Sequence, residues 1–497
     1  MKKITFFNFI ILLMTFSISI KGNNYYMDSG GGLDSNTGTS ASNAWQSFAA
    51  INSHSFNPSD TIFFKCGSIF NGNFQFFHSG IYGNPIVFTS YGTGTKPILN
   101  NPGQLYALQL GGSWVIVENF QIQNTLEYGI QIINGAEHNI IRNCEFTNVG
   151  IGIGVSGKYN KITNNYIHDL HMVVNTPGGN DDYGATGVFL YNGNNEISYN
   201  TFINCKDTSY DYGQDGGVID FYGNVDSCYI HHNYAEGCNG FFEIGGGTAI
   251  SNTIAYNISV DNIYIGSIHL SGTFASIVNN LHLENNTIIE TIDTGMVYTV
   301  LWFSAPANAN TVYFQNNIVY INKFWYFCND SAFTHRNNIY YFLDVDTQLG
   351  FTLSTGEIIA DPLFENISAG NYHLTYNSPA KDAGLNLGYL LDFDNIPVPY
   401  GIQSDIGAYE YHGTSGITKI RANTSISVYP NPAKNYLTIE TLQKSTIEIL
   451  NLQGQTIIQQ SVRLGKSDID ISGLAKGLYI LRLCSNNKTE VTRFVKE

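Results

Sequence analysis

The middle of the chain repeats a short pattern in which apolar residues flank one or two asparagines, as in 162–167 (ITNNYI), 230–235 (IHHNYA) and 314–319 (FQNNIV). The pattern recurs around seven asparagines: Asn165, Asn200, Asn233, Asn257, Asn286, Asn317 and Asn338. Their separations are 35, 33, 24, 29, 31 and 21 residues. A constant core with a variable excess is typical of a solenoid whose coils share one cross-section and carry insertions on their turns.

This repeat predicts an all-β fold built as a parallel β-helix over residues 23–412. Apolar side chains would stack inward from coil to coil, and an asparagine at each bend would hydrogen-bond to the asparagine of the next coil. After a linker at 413–423 (GTSGITKIRAN), residues 424–497 change to short alternating strands such as 447–452 (IEILNL) and 477–483 (GLYILRL). Alternation with turns at this spacing predicts a small C-terminal β-sandwich.

Composition and charge narrow the class of function. Charged residues make up only 12% of the chain while aromatic residues make up 14%, which excludes a coiled coil or a charged disordered chain. Residues 24–412 carry nine basic against 33 acidic residues, a net charge near −24. A body this acidic argues against nucleic acid or an anionic membrane as a partner. It leaves neutral glycans and bound cations, and we expect a monomer.

The first 22 residues read as a secretory signal. Met1-Lys2-Lys3 forms a basic start, residues 4–20 are apolar, and cleavage is expected near Gly22. No other stretch approaches the length needed to span a bilayer, so we expect no membrane span.

The seven cysteines show no paired framework, and their number is odd. Most are interpreted as small core residues. Cys228 and Cys238 are the pair that a disulfide would join, if one forms.

The segments on either side of the repeat resemble secreted right-handed β-helix proteins of the pectin-lyase-like superfamily. Residues 24–28 (NYYMD) and 60–64 (DTIFF) resemble the entry segment, and 361–364 (DPLF) and 406–411 (IGAYEY) the closing cap. The resemblance implies a right-handed single-stranded β-helix. The superfamily includes polysaccharide lyases, glycoside hydrolases, epimerases and non-catalytic adhesins, so the fold does not decide the function.

The last segment resembles the C-terminal sorting domain of the type IX secretion system of Bacteroidetes. The residues that carry this resemblance are 427–432 (SVYPNP), 447–454 (IEILNLQG) and 477–483 (GLYILRL). It implies that residues 424–497 engage the type IX machinery. The protein would then cross the outer membrane of a Gram-negative bacterium and be secreted or attached to the cell surface.

Reactive groups can be sought in columns, because equivalent positions of successive coils lie one strand spacing, about 4.8 Å, apart. Four candidate strands, aligned with their apolar residues inward, give the outward column Phe189, Asp220, Glu243 and His269. Stacked carboxyl groups about 5 Å apart suit a retaining glycosidase, in which one carboxylate attacks and the other acts as acid and then base. Mutual repulsion should raise one pKa, as an acid catalyst requires. His269 would bind a substrate hydroxyl or tune Glu243.

Two insertions before this column supply further candidates. Long excursions beside one sheet build walls around a groove, and they account for the two longest spacings of the repeat. The residues expected to bind substrate are His269, Asp215, Tyr183, Tyr210, Tyr212, Phe189 and Trp302. The alternative for the acidic groups is a calcium site made by Asp181, Asp182, Asp211 and Asp215.

The acid pair, in its contexts DFYG and EIGG, is similar to that of β-helical β-xylosidases. The resemblance implies that Asp220 is the nucleophile and Glu243 the acid/base, with a poly- or oligosaccharide as substrate and no cofactor required. The polygalacturonase signatures N-x-D, G-H-G and R-x-K are not found as a set.

Two other functions remain open. A polysaccharide lyase must neutralise a uronate and remove its C5 proton. With only Lys206 near the column, it would depend on calcium held by the aspartate-rich loops. A non-catalytic glycan-binding protein or adhesin would keep its glycan binding without either acid.

Overall fold

The computed structural model describes residues 22–292, 299–322, 326–344, 346–413, 427–429, 433–441, 445–451, 455–463, 465–485 and 488–496. Residues 1–21 of the predicted signal and 414–423 of the predicted linker lie outside these ranges. The described chain forms two compact units, divided after Gly413.

The first unit is a right-handed parallel β-helix whose coils each contribute strands to three long sheets in the order sheet 1, sheet 2, sheet 3. The described strands of sheet 1 are Asn24–Met27, Thr61–Lys65, Ile86–Tyr91, Val115–Glu118, Ile140–Arg142, Lys161–Thr163, Glu196–Ser198, Tyr229–His231, Thr253–Ala255, Leu281–Glu284, Val312–Gln315 and Thr334–Arg336. Those of sheet 2 are Ile69–Asn71, Ile98–Asn100, Gln121–Gln123, Glu145–Thr147, Tyr166–His168, Thr201–Ile203, Tyr234–Glu236, Ile258–Val260, Thr287–Glu290, Ile318–Ile321, Ile339–Phe342 and Ile358–Ile359. Those of sheet 3 are Phe74–Phe76, Tyr106–Leu110, Tyr128–Ile132, Ile151–Val155, Thr186–Asn192, Gly217–Asn224, Gly240–Ile250, Tyr264–Ile268, Ser276–Asn279, Thr299–Phe303 and Tyr326–Cys328.

Short elements decorate this helix. One α-helix, Phe48–Ser53, begins with the Ser47 hydroxyl accepting from the Ala49 N–H and packs Phe48 against the first coils. The remaining described elements of this unit are the hairpins Met172–Val174 with Tyr183–Gly184, Asp207–Ser209 with Gly213–Asp215, and Phe364–Asn366 with Asn371–Leu374, and the 3₁₀ turns Ala41–Asn43 and Ile367–Ala369.

The core consists of apolar columns that run along the helix. In sheet 1, Ile141, Ile162, Ile197, Ile230 and Ile254 occupy paired positions of successive strands, and each is at most 1% exposed. Every coil stacks its apolar residues on those of the next coil in this way. The inward-facing residues of the repeat therefore bury one another and form one continuous core.

The seven repeat asparagines form the predicted ladder. The Asn233 side chain, for example, accepts from the backbone N–H of Asn200 and donates Nδ2 both to the Ile197 carbonyl and to Asn257 Oδ1, at 2.8–3.0 Å. Equivalent bonds of 3.0–3.2 Å join the ladder from Asn165 to Asn338. The residue before each of them has a left-handed backbone, with φ of 57° at Asn164, which asparagine tolerates better than most residues. Where that residue is also an asparagine, as at Asn164, Asn285, Asn316 and Asn337, an asparagine pair makes and satisfies the bend, and in the other three coils Tyr199, His232 or Tyr256 takes this position.

The second unit consists of two antiparallel sheets with a core of their own. One contains Ser427–Tyr429, Tyr436–Thr441 and Gly465–Asp470, and the other Thr456–Val462, Ser445–Leu450, Gly477–Ser485 and Lys488–Lys496. Buried residues including Leu437, Ile447 and Phe494 fill the space between them. This is the expected small β-sandwich.

Cys228 and Cys238 form no disulfide. Both thiols are free and buried, and they belong to different columns. Cys228 lies between Asn195 and Asn252, whereas the Cys238 sulfur accepts from the backbone N–H of Cys205. They act as small core residues at the bends, the role expected for most cysteines of this chain.

Candidate active site

The predicted acid pair lies on the outer face of sheet 3, where its strands are longest. Thr186–Asn192, Gly217–Asn224 and Gly240–Ile250 have seven, eight and eleven residues. Their register pairs Phe189 with Asp220 and Asp220 with Glu243. The two acids therefore occupy neighbouring strands in one outward column, at the strand spacing of about 4.8 Å.

The register of the next strand differs from the alignment made from the sequence. Glu243 pairs with Ser267, and Ser267 with Trp302, so His269 lies two residues beyond the column. The reason is the inward column, where Phe242 faces Gly266. A Cβ at Gly266 would lie 2.1 Å from the Phe242 ring, so the ring needs the space that glycine leaves.

His269 nevertheless reaches Glu243. Its Nε2 lies 3.1 Å from Glu243 Oε1 and 3.3 Å from the Ser267 hydroxyl. The imidazole is thus placed to orient this carboxylate, as one of its two predicted roles requires.

Tyr264, which the sequence analysis did not single out, is a second partner of Glu243. Its hydroxyl lies near the Glu243 carboxylate, whose charge helps to raise the pKa of Tyr264, and its ring lies over Gly240 on the neighbouring strand. A Cβ at Gly240 would lie 2.1 Å from that ring. The sequence feature that could have indicated this contact is the pair of glycines Gly217 and Gly240, at equivalent positions of successive coils. Glycines there leave space beside the two acids for a large neighbouring side chain.

The two acids have different surroundings. Burial raises the pKa of Asp220 well above its usual range, and the charge of Glu243 adds to this. The Thr186 hydroxyl, which donates to Asp220 Oδ2 at 2.8 Å, opposes the shift only in part. Glu243 is more open, with 40% of its side chain exposed, and has two polar partners. Of the two acids, Asp220 is therefore the one whose surroundings favour the protonated form.

The two insertions form hairpins beside these acids and hydrogen-bond to each other. The Asn175 side chain donates to the Thr208 carbonyl, and the Ser209 hydroxyl to Asp182 Oδ2. Asp215, at the end of the second hairpin, is a third carboxyl group near the pair: burial raises its pKa to about 7, and the charge of Glu243 contributes. The hairpins thus extend the site beyond the sheet.

The predicted tyrosines lie on these hairpins with different surroundings. Tyr212 is an exposed residue. The partial burial that remains, together with the charges of Asp215, Asp211 and Glu243, raises the pKa of its hydroxyl. The Tyr183 hydroxyl contacts Glu127 at 3.4 Å. Tyr210 is 68% exposed at the hairpin tip. The charge of Glu243 thus reaches Tyr212.

Aromatic rings surround the other side of the acids in a continuous series of contacts. From one end to the other these rings are Tyr191, Phe189, Tyr222, Phe274, His269 and Trp302, with neighbouring centroids 4.8–6.3 Å apart. Rings that line a groove beside polar groups are suited to stacking on a sugar. Phe189 and Trp302 belong to the predicted set, whereas Tyr191, Tyr222 and Phe274 were not predicted.

Three of the four predicted calcium ligands, Asp181, Asp182 and Asp211, meet, with carboxylate oxygens within 4.8 Å of one another, whereas Asp215 is not part of this group. They also hold the hairpins together, since Asp182 accepts from the Thr176 N–H and Asp211 Oδ2 from the Asp181 N–H. Carboxylate oxygens are hard ligands that suit calcium, and each has more than one lone pair. The residues fit such an ion.

Comparison with known families agrees with both units. Residues 107–254 match the family model described as the right handed beta helix region, and 427–497 match the secretion system C-terminal sorting domain. The chain is therefore a right-handed β-helix protein with a type IX sorting domain, and it is secreted or displayed at the cell surface. The described residues contain no helix long and apolar enough to cross a membrane.

Solved structures with the same fold include several enzymes. The match to pectate lyase Pel9A is 16% identical in sequence, covers 79% of this chain and 97% of the Pel9A chain, and has a TM-score of 0.53. The alginate lyase from Paenibacillus sp. str. FPU-7 is 15% identical over 61% of this chain and 94% of its own, with a TM-score of 0.43. The GH136 lacto-N-biosidase from Eubacterium ramulus is 13% identical over 68% of each chain, with a TM-score of 0.40. The likeness to Pel9A shows the fold alone, and no curated protein matches.

Proposed function

We propose that this protein is a carbohydrate-active enzyme, a retaining glycoside hydrolase that acts on a poly- or oligosaccharide. The observation that supports this most is the pairing of Asp220 with Glu243 on neighbouring strands. The strand spacing of about 4.8 Å is close to the separation of about 5–5.5 Å between the two carboxyl groups of retaining enzymes, and shorter than in inverting ones. No cofactor is needed for this reaction.

The surroundings of the pair suggest the role of each acid. Glu243, open, hydrogen-bonded by His269 and close to the Tyr264 hydroxyl, is suited to attack the anomeric carbon as a carboxylate. Asp220, whose raised pKa keeps it protonated, is suited to protonate the leaving oxygen and then to deprotonate the attacking water. This assignment is the reverse of the one that the β-xylosidase resemblance implies.

The reaction class is tested by incubating the purified protein with a polysaccharide panel, following reducing ends and the absorbance of unsaturated products together. Reducing ends without that absorbance are expected. Asp220→Asn and Glu243→Gln should each lower turnover by about 10³-fold or more, because each removes one member of the pair. Glu236→Gln, an exposed acid on sheet 2, is the matched control and should keep full activity. Unchanged turnover in either site variant would refute the hydrolase.

The roles are separated by azide rescue. Azide can replace the nucleophile or attack the intermediate when the acid/base is missing, and the two give glycosyl azides of opposite configuration. We expect the inverted azide from Glu243→Gly and the retained azide from Asp220→Gly. The opposite pattern would restore the roles implied by the resemblance.

A calcium-assisted polysaccharide lyase is the second candidate, favoured by the meeting of Asp181, Asp182 and Asp211 beside the site. Calcium there could neutralise a uronate, for which the acid pair itself offers no positive partner. Unsaturated products that disappear with EDTA would establish this function. Glycan binding without turnover, retained in both acid variants, would instead identify a binding protein.

A further inference from the structure

Two tyrosines form a bar across the outer face of sheet 3 next to the acid pair. Tyr128 lies on one side of the outward column, and Tyr191, two strands further along, on the other. Their hydroxyls are 2.9 Å apart. The Tyr128 ring covers Gly154, where a Cβ would lie 2.5 Å from the ring, so glycine is what allows the bar to rest on the sheet.

The bar is fixed on both sides. Tyr191 stacks on Phe189 with centroids 4.8 Å apart, while Tyr128 is only 7% exposed. Next to Tyr128 in the chain, the Glu127 carboxylate accepts a hydrogen bond from the hydroxyl of Tyr183, which lies on the first hairpin. A glycan lying along the column therefore meets packed rings at this point.

The position of the bar limits the space on its side of the acids. In the outward column the order is Gly154, Phe189, Asp220, Glu243, Ser267 and Trp302. Between the bar over Gly154 and the first acid there is a single floor residue, Phe189, so Gly154 and Asp220 lie two strand spacings, about 9.6 Å, apart. On the other side, Ser267 and the half-buried Trp302 continue the floor beyond Glu243.

We propose that the enzyme acts from a chain end and releases one sugar residue per turnover, because the Tyr128–Tyr191 bar closes the groove one residue beyond the cleaved bond. This inference rests on the proposed hydrolase.

The test uses xylo-, cello- and galacturono-oligosaccharides of two to six residues with a fluorophore at the reducing end. With whichever series is cleaved, the expected early products are one free monosaccharide and a chain shortened by one. Early products of every length would overturn the inference.

Opening the bar should change this pattern. In Tyr191→Ala and Tyr128→Ala, release of disaccharide relative to monosaccharide should rise about tenfold, since each variant removes a steric barrier beside Phe189. Tyr191→Ala is included because Tyr128 is more deeply packed. Tyr166→Ala, an exposed tyrosine on sheet 2, is the control and should keep the wild-type pattern. An unchanged pattern in both folded bar variants would show that the bar does not set the mode of action.

The outcomes separate the two proposals. Turnover that depends on Asp220 and Glu243 but cuts chains internally overturns the chain-end inference and leaves the hydrolase intact. The absence of any hydrolysis in the probes and the panel refutes the hydrolase, and the inference falls with it.

Discussion

Asp220 is a residue whose surroundings serve the reaction at the expense of stability. A buried carboxyl with a raised pKa keeps its proton in the folded protein at pH values where the unfolded chain has lost it. Folding then becomes less favourable as the pH rises above the ordinary aspartate pKa of about 3.9. Active sites commonly carry such costs.

Asp220→Asn should therefore stabilise the protein, and the gain should grow with pH. Near pH 4 its melting temperature should match that of the wild type, and near pH 8 it should be higher by on the order of 2 °C, because the neutral amide avoids the cost of burying a charge. Asp346→Asn, at an exposed position, should show no such trend. A constant difference across this pH range, measured by calorimetry, would contradict the prediction.

Tyr264 offers a second residue-scale prediction. In Tyr264→Phe, the ionised Glu243 carboxylate loses a donor, so the acid limb of the kcat/KM profile should move to higher pH and kcat fall by about 10–100-fold. Tyr166→Phe, which removes an exposed hydroxyl on sheet 2, should leave the limb in place. A loss of activity in Tyr264→Phe without a shift of the profile would mean that the hydroxyl does not act through Glu243.

These two residues also show what the sequence could and could not predict about the site. Asp220 and Glu243 were found because strand periodicity gives the side of the sheet, and a short coil of known length gives the neighbour. Tyr264 was missed because it belongs to the next column, and its ring reaches Glu243 only across the space left by Gly240. Periodicity gives the direction of a side chain but not how far a long one leans.

Among the elements, the asparagine ladder is what holds successive coils in register. Asn233→Ala removes the acceptor of the buried Asn200 N–H and of its Nδ2, and the donor to the Ile197 carbonyl. With buried groups left unpaired at about 1–3 kcal/mol each, unfolding should become easier by about 2–4 kcal/mol. Asn134→Ala, at an exposed turn, is the control for chemical denaturation. A loss below about 1 kcal/mol would mean that water replaces the ladder.

The register of sheet 1 could be predicted because the asparagines mark each coil, whereas sheet 3 has no such mark. Aligning Ile268 with Phe242 looked natural for two apolar residues, yet Phe242 faces Gly266. A large ring next to a glycine fills a column as well as two medium side chains do, and a pattern of apolar residues does not distinguish the two. The predicted position of His269 was displaced for this reason, although its side chain still reaches Glu243.

For the whole molecule, the separate cores of the two units predict independent folding. A chain ending at Gly413 should keep the melting temperature of the β-helix within about 1 °C and its full activity on the panel. In a bacterium with type IX secretion, the same truncation should remain inside the cell envelope, since it lacks the sorting domain at 427–497. A truncated chain that fails to fold would contradict the prediction of independent folding. A truncated chain that still reaches the cell surface would contradict the prediction on secretion.

The asparagine ladder has a polarity, and it is stopped at one end. Each amide accepts from the coil before and donates to the coil after, until Asn338 Nδ2 donates to Glu357 Oε1 at 2.7 Å. Burial opposes its ionisation, but hydrogen bonds from His335, Asn338 and the Ser354 N–H hold the pKa of Glu357 below its usual range. An ionised carboxylate has no proton to pass on. Glu357 therefore ends the ladder with an acceptor that has no amide to extend it.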